Sequence, residues 1–572
     1  GGKGGGGKGG KGGGAPINFT HECLKLARAL DAADKLPGIV FCMSRKLCCQ
    51  GAHACKSLNL LLGTKGPRKP DETEGAEALA AWEAEDEKRQ GRARDAEAKR
   101  KQMHRKYLER YMPELGELEA YRDINGLLEK GVAYHHSGML PILREYVELC
   151  FQQKLVKLVF ATETLAVGVN MPARTVAFSQ LDKPDDTGSK QGHRWLRVDE
   201  FWQMAGRAGR RGLDVVGYVV YAPTLSVAGL RNLCPVHEMN RMLTADVCAA
   251  TSQLVVDRPF VLRHLARGHD VSVLGKTLKA DEARRANDLL SKKMGAADGE
   301  QDAHAAAFER FKAVEAKLDP AKTGAIGVSL KQKDLKKLQR EKRELQDNFP
   351  GGASAFLDAF HAYGARDRQA AEIEANKTAL AGDWHSAAEW LEYAAFVDAN
   401  GELTPRGRCA AAFADGEPLI VGTCIADGAL KALTLQEVCA WICLFIPDRS
   451  GNAEDPLPGD SAKPSPNLLA TCAYADELAL QLDQDPPPRR LMGMMLDWAA
   501  TKDIHRVARC VDPHLLGSFV KSVMRVLSYV DVVREVLLGL GEYETHNALD
   551  HHTDALVCGL VTNESLYLRI EE

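Results

Sequence analysis

Apolar and polar positions along this chain follow two rhythms. From Phe19 to Ala33 apolar residues recur at helical spacing, and Gly38-Ile-Val-Phe-Cys then runs apolar without a break. A short unbroken apolar run between turn signals predicts a strand buried on both faces. Similar short, mainly apolar runs return at Gly131-Val-Ala-Tyr-His, Leu155–Ala161, Thr175–Leu181 and Val215–Tyr221. After the second of these runs, Leu143, Val147 and Phe151 share one helical face. Buried strands alternating with amphipathic helices predict a parallel α/β sheet with flanking helices. Residues 64–111 carry Lys, Arg, Asp and Glu of mixed sign and predict a solvated helical excursion.

After Pro223 the pattern turns helical, with strand-like scraps such as Val271-Ser-Val-Leu. Residues 306–347 predict an exposed helical pair, with Lys and Glu alternating around Leu335 and Leu338. The remainder reads as amphipathic helices, interrupted by a Pro/Gly/Ser/Asp loop at 447–467. Residues 1–14 are glycine with Lys3, Lys8 and Lys11, a tract that cannot bury apolar surface and is expected to be disordered. It is not a phosphate loop, because a P-loop needs a strand before it and a helix after it.

Length changes the picture first: 572 residues suit three or four domains. The net charge is −4, so a nucleic-acid site must be a local groove and not the whole surface. No run reaches the ~18 apolar residues of a membrane helix, and no secretory signal opens the chain. The 15 cysteines form no CxxC pair and no Cys/His zinc spacing. Most, such as Cys150, Cys424, Cys439 and Cys443, sit in apolar strings and read as buried free thiols of a reducing compartment. No metal site is expected.

The richest chemistry lies in Gln203-Met-Ala-Gly-Arg-Ala-Gly-Arg-Arg-Gly212. Arg207 and Arg210 are planar, permanently charged forks suited to phosphate oxygens. Gly206, Gly209 and Gly212 remove side-chain bulk around them. Three further blocks precede it: Gly38-Ile-Val-Phe-Cys-Met-Ser-Arg45, His135-His-Ser-Gly-Met-Leu-Pro141 and Leu158-Val-Phe-Ala-Thr-Glu-Thr-Leu-Ala-Val-Gly-Val-Asn-Met-Pro172.

In this order the four blocks resemble the second RecA-like domain of superfamily 2 helicases, closest to the superkiller and exosome-cofactor group of DExH-box RNA helicases. The second half is similar to that group's C-terminal helical domain, through LEYAAFVDANGELTPRGRCAAAF from Leu391 and HLLGSFVKSVMRVLSYV from His514. The resemblance implies a RecA-like α/β domain over 15–222, a winged-helix-like domain over 223–305, a helical connector over 306–390 and a helical domain over 391–572.

By the same resemblance Arg207 and Arg210 match arginine fingers that neutralise charge on a γ-phosphate, aligned by Gln203. Gly168, Asn170 and Gly206 fall at nucleotide-side positions; a plain turn is the other reading of Asn170-Met-Pro. Thr162 matches a position that bonds an RNA phosphate, a contact that positions a strand without reading bases. Ser44, Arg45, His135, Ser137 and Gly138 follow strands on the RNA-facing edge. His135 and His136 read equally well as structural histidines, and the family's usual glycine is replaced by Ser137. A hairpin over Arg174–Val198 matches either a duplex-splitting wedge or a surface turn. Lys521 and Arg525 lie one helical turn apart, where relatives line the RNA path, although Met524 and Leu516 depart from the family pattern.

An active helicase also needs GxxxxGK[ST] and a DExH or DExD box. Gly275-Lys-Thr277 lacks the glycine-rich loop, and the Asp-Glu pairs lack the closing residue. ATP with Mg²⁺ is therefore expected to be bound mainly by a first motor domain outside this sequence, leaving this chain inactive alone. An arch insertion is not expected either, since 306–395 is too short and too helical to hold one. The expected partner is RNA, with the RNA exosome or adaptor proteins implied by the family, and the expected compartment is the nucleus or cytoplasm. Two alternatives stay open: a non-catalytic RNA-binding module, and a DNA repair helicase of the related group.

Overall fold

Five short apolar strands build the sheet on which the rest is placed. They are β1 (Gly38–Phe41), β2 (Val132–His135), β3 (Leu158–Ala161), β4 (Thr175–Phe178) and β7 (Tyr218–Tyr221), all parallel in the order β2-β3-β1-β4-β7. Gly38 pairs with both Leu158 and Thr175, so β1 is central. The first four strands are buried along their whole length, as their unbroken apolar runs require. A two-stranded antiparallel hairpin, β5 (Asp182–Pro184) and β6 (His193–Trp195), stands apart from the sheet.

This computed structural model describes residues 18–64, 66, 68–71, 75–167, 171–185, 192–225, 233–246, 250–295, 304–318, 332–449 and 461–569. The tract 1–14, Gly168 and Asn170 lie outside the described residues, as does most of the 447–467 loop.

Helices cover the sheet where the apolar spacing places them. α1 (Phe19–Ala32) opens with Asn18, whose side chain accepts the His21 N–H. α2 (Arg45–Ala54) follows β1, α4 (Glu119–Leu128) precedes β2, and α5 (Pro141–Gln152) carries Leu143, Val147 and Phe151 into the core. Between α2 and α4 stands α3 (Gly75–Leu108), the 34-residue excursion. Its charges are segregated: residues 71–87 hold eight carboxylates and no Lys or Arg, whereas 88–106 hold nine Lys or Arg and two carboxylates. Each sign thus lies toward the helix end that favours it.

The chain divides into two compact units, residues 1–249 with 428–572, and residues 250–427. The first therefore includes the sheet and the C-terminal helices, among them α16 (Arg490–Thr501) and α17 (Leu516–Leu540). The second is helical among its described residues. Its longest helix, Gly352–Tyr393, packs Phe356 against Phe308 and Phe311 of the Ala305–Leu318 helix. The helical pair expected over 306–347 is there as Ala305–Leu318 and Gln332–Asp347, but only the second is exposed, since the first buries Phe308, Phe311 and Val314. Val271-Ser-Val-Leu is not a strand but the start of a 3₁₀ helix, because the Asp270 carboxylate accepts from both the N–H and the hydroxyl of Ser272 and turns the backbone.

Thirteen cysteines of the described residues are buried thiols and Cys558 is exposed; the Cys439/Cys443 pair is core packing. Among the described residues no helix is long and apolar enough to cross a membrane.

Candidate nucleotide and nucleic-acid sites

The arginine motif leaves a short helix, α6 (Val198–Ala205), whose start is fixed by charge. Glu200 accepts from the Arg197 N–H at 2.9 Å, from Lys183 at 2.9 Å and from both terminal nitrogens of Arg194 at 2.7 and 2.8 Å. Burial works against the Glu200 charge, but these donors outweigh it and hold the carboxyl well below its usual range. Lys183 is on β5 and Arg194 on β6, so both arms of the hairpin are tied to the helix that delivers the arginines.

Past α6 the chain turns at Gly206 and runs beside Ala173, where Gly209 donates its N–H to the Ala173 carbonyl at 2.7 Å. Gly209 has φ +88° and lies against Gly217; a Cβ on Gly217 would stand 2.6 Å from the Ala208 carbonyl. Only glycines allow the loop and the start of β7 to come this close.

The two arginines then diverge. Arg207 is half-buried and donates to the backbone carbonyl of Ala166, in the turn that follows β3. Arg210 folds back on its own loop and grips Asp214 through two parallel bonds, Nε–Oδ2 at 2.7 Å and Nη2–Oδ1 at 2.8 Å. The Asp214 side chain is only 1% exposed and also accepts from Arg174 at 3.1 Å, and Arg174 pairs with Asp34 at 2.7 Å. The Arg210 bonds, foremost, hold the Asp214 carboxyl far below its usual range. Gln203 and Gly206 are exposed beside them. Trp202, Leu213, Val215, Val216 and Val219, before and after these arginines in sequence, are exposed apolar residues.

A second group forms where loops after β1 and β2 meet α17. Ser44 begins α2 without a side-chain capping bond, and Arg45 follows it. The Ser137 carbonyl accepts from the Lys521 ammonium. Gly517 donates its N–H to the Gly138 carbonyl at 2.9 Å, and a Cβ on Gly517 would stand 1.8 Å from the Met139 oxygen. A cavity of about 270 Å³ opens here, lined by Arg45, Ser137, Arg449, Ser518, Lys521 and Arg525 with Ile446, Pro447 and Ser522. It has four cations and no carboxylate, in a chain with more acidic than basic residues. Burial of its ammonium, and then repulsion from Arg144, Arg45 and Arg449, brings Lys521 down to about 8. The residue as a whole is exposed, but the ammonium is drawn onto the Ser137 carbonyl.

The histidines are set apart from this surface. His135 is buried and bonds through Nε2 to Glu148 of α5 at 2.7 Å, so its side chain faces the interior and not the RNA-facing edge expected for it. Tyr567 also donates to Glu148, at 2.7 Å. His136 is buried against Cys49 at 3.3 Å, accepts the Gly138 N–H, and burial pulls it down to about 3, so it is neutral. Thr162 is half-buried, its N–H on the His135 carbonyl and its hydroxyl 2.9 Å from that of Thr164.

Sequence reasoning did not single out Arg174, Asp214 or Arg449. The spacing of Arg210 and Asp214, four apart, was a signal for their pair; nothing local marks Arg449. Among the described residues no group of three or more His, Cys, Asp and Glu is placed to hold a metal ion.

Residues 109–212 match the helicase conserved C-terminal domain, and residues 400–562 match the DSHCT (NUC185) domain. The chain is 48% identical over 110 residues to the antiviral helicase SKI2 of Saccharomyces cerevisiae, covering 19% of this chain and 8% of that protein. It is 49% identical over 104 residues to the ATP-dependent RNA helicase mtr4 of Schizosaccharomyces pombe, covering 18% and 9%. To human superkiller complex protein 2 it is 55% identical over 94 residues, covering 16% and 7%. The matched stretch thus spans less than a tenth of each relative's length.

Proposed function

We propose, for a chain that belongs with the superkiller-type DExH-box RNA helicases and carries their helicase C-terminal and DSHCT domains, that it is the second-motor half of an ATP-dependent RNA helicase. The observation that carries this reading is the cavity without carboxylates, where Arg45 and Ser137 of the sheet domain meet Lys521 and Arg525 of α17. Such a cavity suits a phosphate backbone, held without base readout. Ser44 and Thr162 extend this contact set; Gly138 does not, since it is buried with its N–H on His136 and its carbonyl on Gly517. His135 does not belong to it, since its side chain faces Glu148.

On the nucleotide side, Arg207 is the finger. Its guanidinium lies at the turn after β3, and the exposed apolar residues of the same segment are of the kind a first motor domain would cover. Arg210 first supports the loop through Asp214 and reaches a phosphate only if that pair opens. Gln203, Gly206, Gly168 and Asn170 complete the nucleotide side. Bound ATP would supply the energy, and its Mg²⁺ would be held by carboxylates of a first motor domain. The intact enzyme unwinds or threads RNA 3′ to 5′ in RNA turnover, in nucleus or cytoplasm, with the exosome or its adaptors as partners. The domain limits at 222, 305 and 390 belong to the same proposal.

The test is binding of equal-length single-stranded RNA and DNA across a salt series. RNA preference, with a salt slope reduced by about one in Lys521→Ala, supports the reading. Equal binding of DNA favours the related repair group, and no binding by either overturns the proposal.

A further inference from the structure

A second, larger groove adjoins the cationic cavity, and Arg45 lines both. It measures about 900 Å³ and runs between α1, α2 and the turn before α17. That volume lies in the range of about 300–1,000 Å³ typical of small-molecule sites. Its wall differs from that of the cavity: Phe19, His53 and His514 present rings, Ala54 and Leu515 apolar surface, and Gln50 an amide, beside Arg45 and Lys46.

Both histidine rings are held in place by other groups. His53 Nε2 lies 2.8 Å from Asp123, and His514 Nδ1 lies 3.2 Å from the Tyr134 hydroxyl. The two rings stand nearly perpendicular, 79° apart with centroids at 6.0 Å, and the Tyr134 ring packs against both, 5.5 Å from His514 and 6.4 Å from His53, so the histidine rings are fixed where they line the groove. Asp512 is the one carboxylate among the lining residues, and it accepts the His514 N–H at 2.8 Å. Burial pushes the Cys49 thiol up to about 12, so the groove holds no thiolate and offers binding without covalent chemistry.

We infer that this groove takes unstacked nucleobases of the strand whose phosphates cross the neighbouring cavity. The inference rests on the RNA-binding reading and extends it. Cations without carboxylates suit the backbone, and fixed rings with an amide suit base faces and edges, which every base presents. Rings held beforehand lose little freedom on stacking, so binding is tighter than for mobile side chains.

The experiment compares an oligouridylate with the same backbone bearing abasic spacers, on the full chain. The spacer strand keeps every phosphate and removes only the bases. We expect the intact oligouridylate to bind about tenfold more tightly, as for one well-stacked base. Phe19→Ala and Gln50→Glu should each remove most of that preference. Gln50 is exposed on α2, so the second variant keeps the fold if the first does not. Equal binding of the two strands by the native chain, or an unchanged preference in Gln50→Glu, overturns the inference. So does displacement of the strand by uridine monophosphate at similar concentration, which would make the groove a site for free nucleotides. RNA binding that depends on Lys521 but ignores the bases refutes this inference alone; absence of all RNA binding refutes the proposed function with it.

Discussion

Arg210 and Asp214 are joined by two parallel charge-assisted bonds at 2.7 and 2.8 Å, around a carboxylate closed to solvent. Arg210 is therefore tied to a side chain of its own loop and gives the loop its shape. Arg207 instead donates to a backbone carbonyl, that of Ala166.

Asp214→Asn tests this division. Removing a partner from a fully buried pair costs about 3–5 kcal/mol. Arg210 and Arg174 keep a fifth to a quarter of their surface exposed, so the expected loss is nearer 2 kcal/mol at pH 7. The folded-state pKa of Asp214 is depressed, so its contribution is present above the unfolded value near 3.9 and is lost as pH falls through the folded value. Denaturant midpoints of native and variant chains should differ at pH 7 and converge well below pH 4. A constant difference down to pH 2 would mean that the pair is not what stabilises the loop.

Arg207→Ala should leave the fold intact and remove catalysis. This chain alone should hydrolyse ATP at background rate. Joined to a first motor domain that restores turnover, the variant should lose a factor of about 10³–10⁵ in kcat. Turnover by the isolated chain that Arg207→Ala abolishes would contradict the need for a second half-site.

Two glycines of the same helix should respond in opposite directions. Gly517→Ala places a methyl group 1.8 Å from the Met139 oxygen, and an overpacked contact of that kind costs about 1–3 kcal/mol or more. Gly539 meets nothing within 4 Å, so Gly539→Ala should stabilise by about 0.5–1 kcal/mol through helix propensity. Thermal melts of the two variants decide it; a neutral Gly517→Ala would refute the close contact.

Lys521 should make RNA affinity depend on pH in an unusual window. At pH 7 its ammonium is charged; from about 8 upward it loses the proton while ordinary lysines keep theirs. Bound phosphate favours the charged form and moves that midpoint upward. Affinity should fall by roughly fivefold, about 1 kcal/mol, between pH 7 and 9.5, and the fall should vanish in Lys521→Arg. The same decline in both proteins would assign the effect to other groups.

The sheet was legible because its strands are short unbroken apolar runs, Gly38–Phe41 and Leu158–Ala161 among them. The parallel α/β class follows from that alternation. Strand order does not, since it is set by pairings such as Gly38 with Thr175, far apart in sequence. Val271-Ser-Val-Leu misled because a side chain, Asp270, decides the backbone there and apolar spacing does not. The direction of His135 was equally illegible: a residue at a strand end can face either way, and its partner Glu148 is supplied by α5. The Gly138–Gly517 contact joins segments almost 380 positions apart and leaves no local trace. Arg449 is hidden for the same reason, since only the folded chain sets it beside Lys521.

α3 gives the surface a head and a tail. Its acidic first half and basic second half are a permanent electrical asymmetry laid along a single rod. A polyanion approaching through solvent feels that asymmetry before it feels any pocket, within the reach of about 8 Å that physiological salt allows. The stretch of α3 that carries Lys99, Lys101, Arg105 and Lys106 attracts such a polyanion, and the acidic stretch before it repels one.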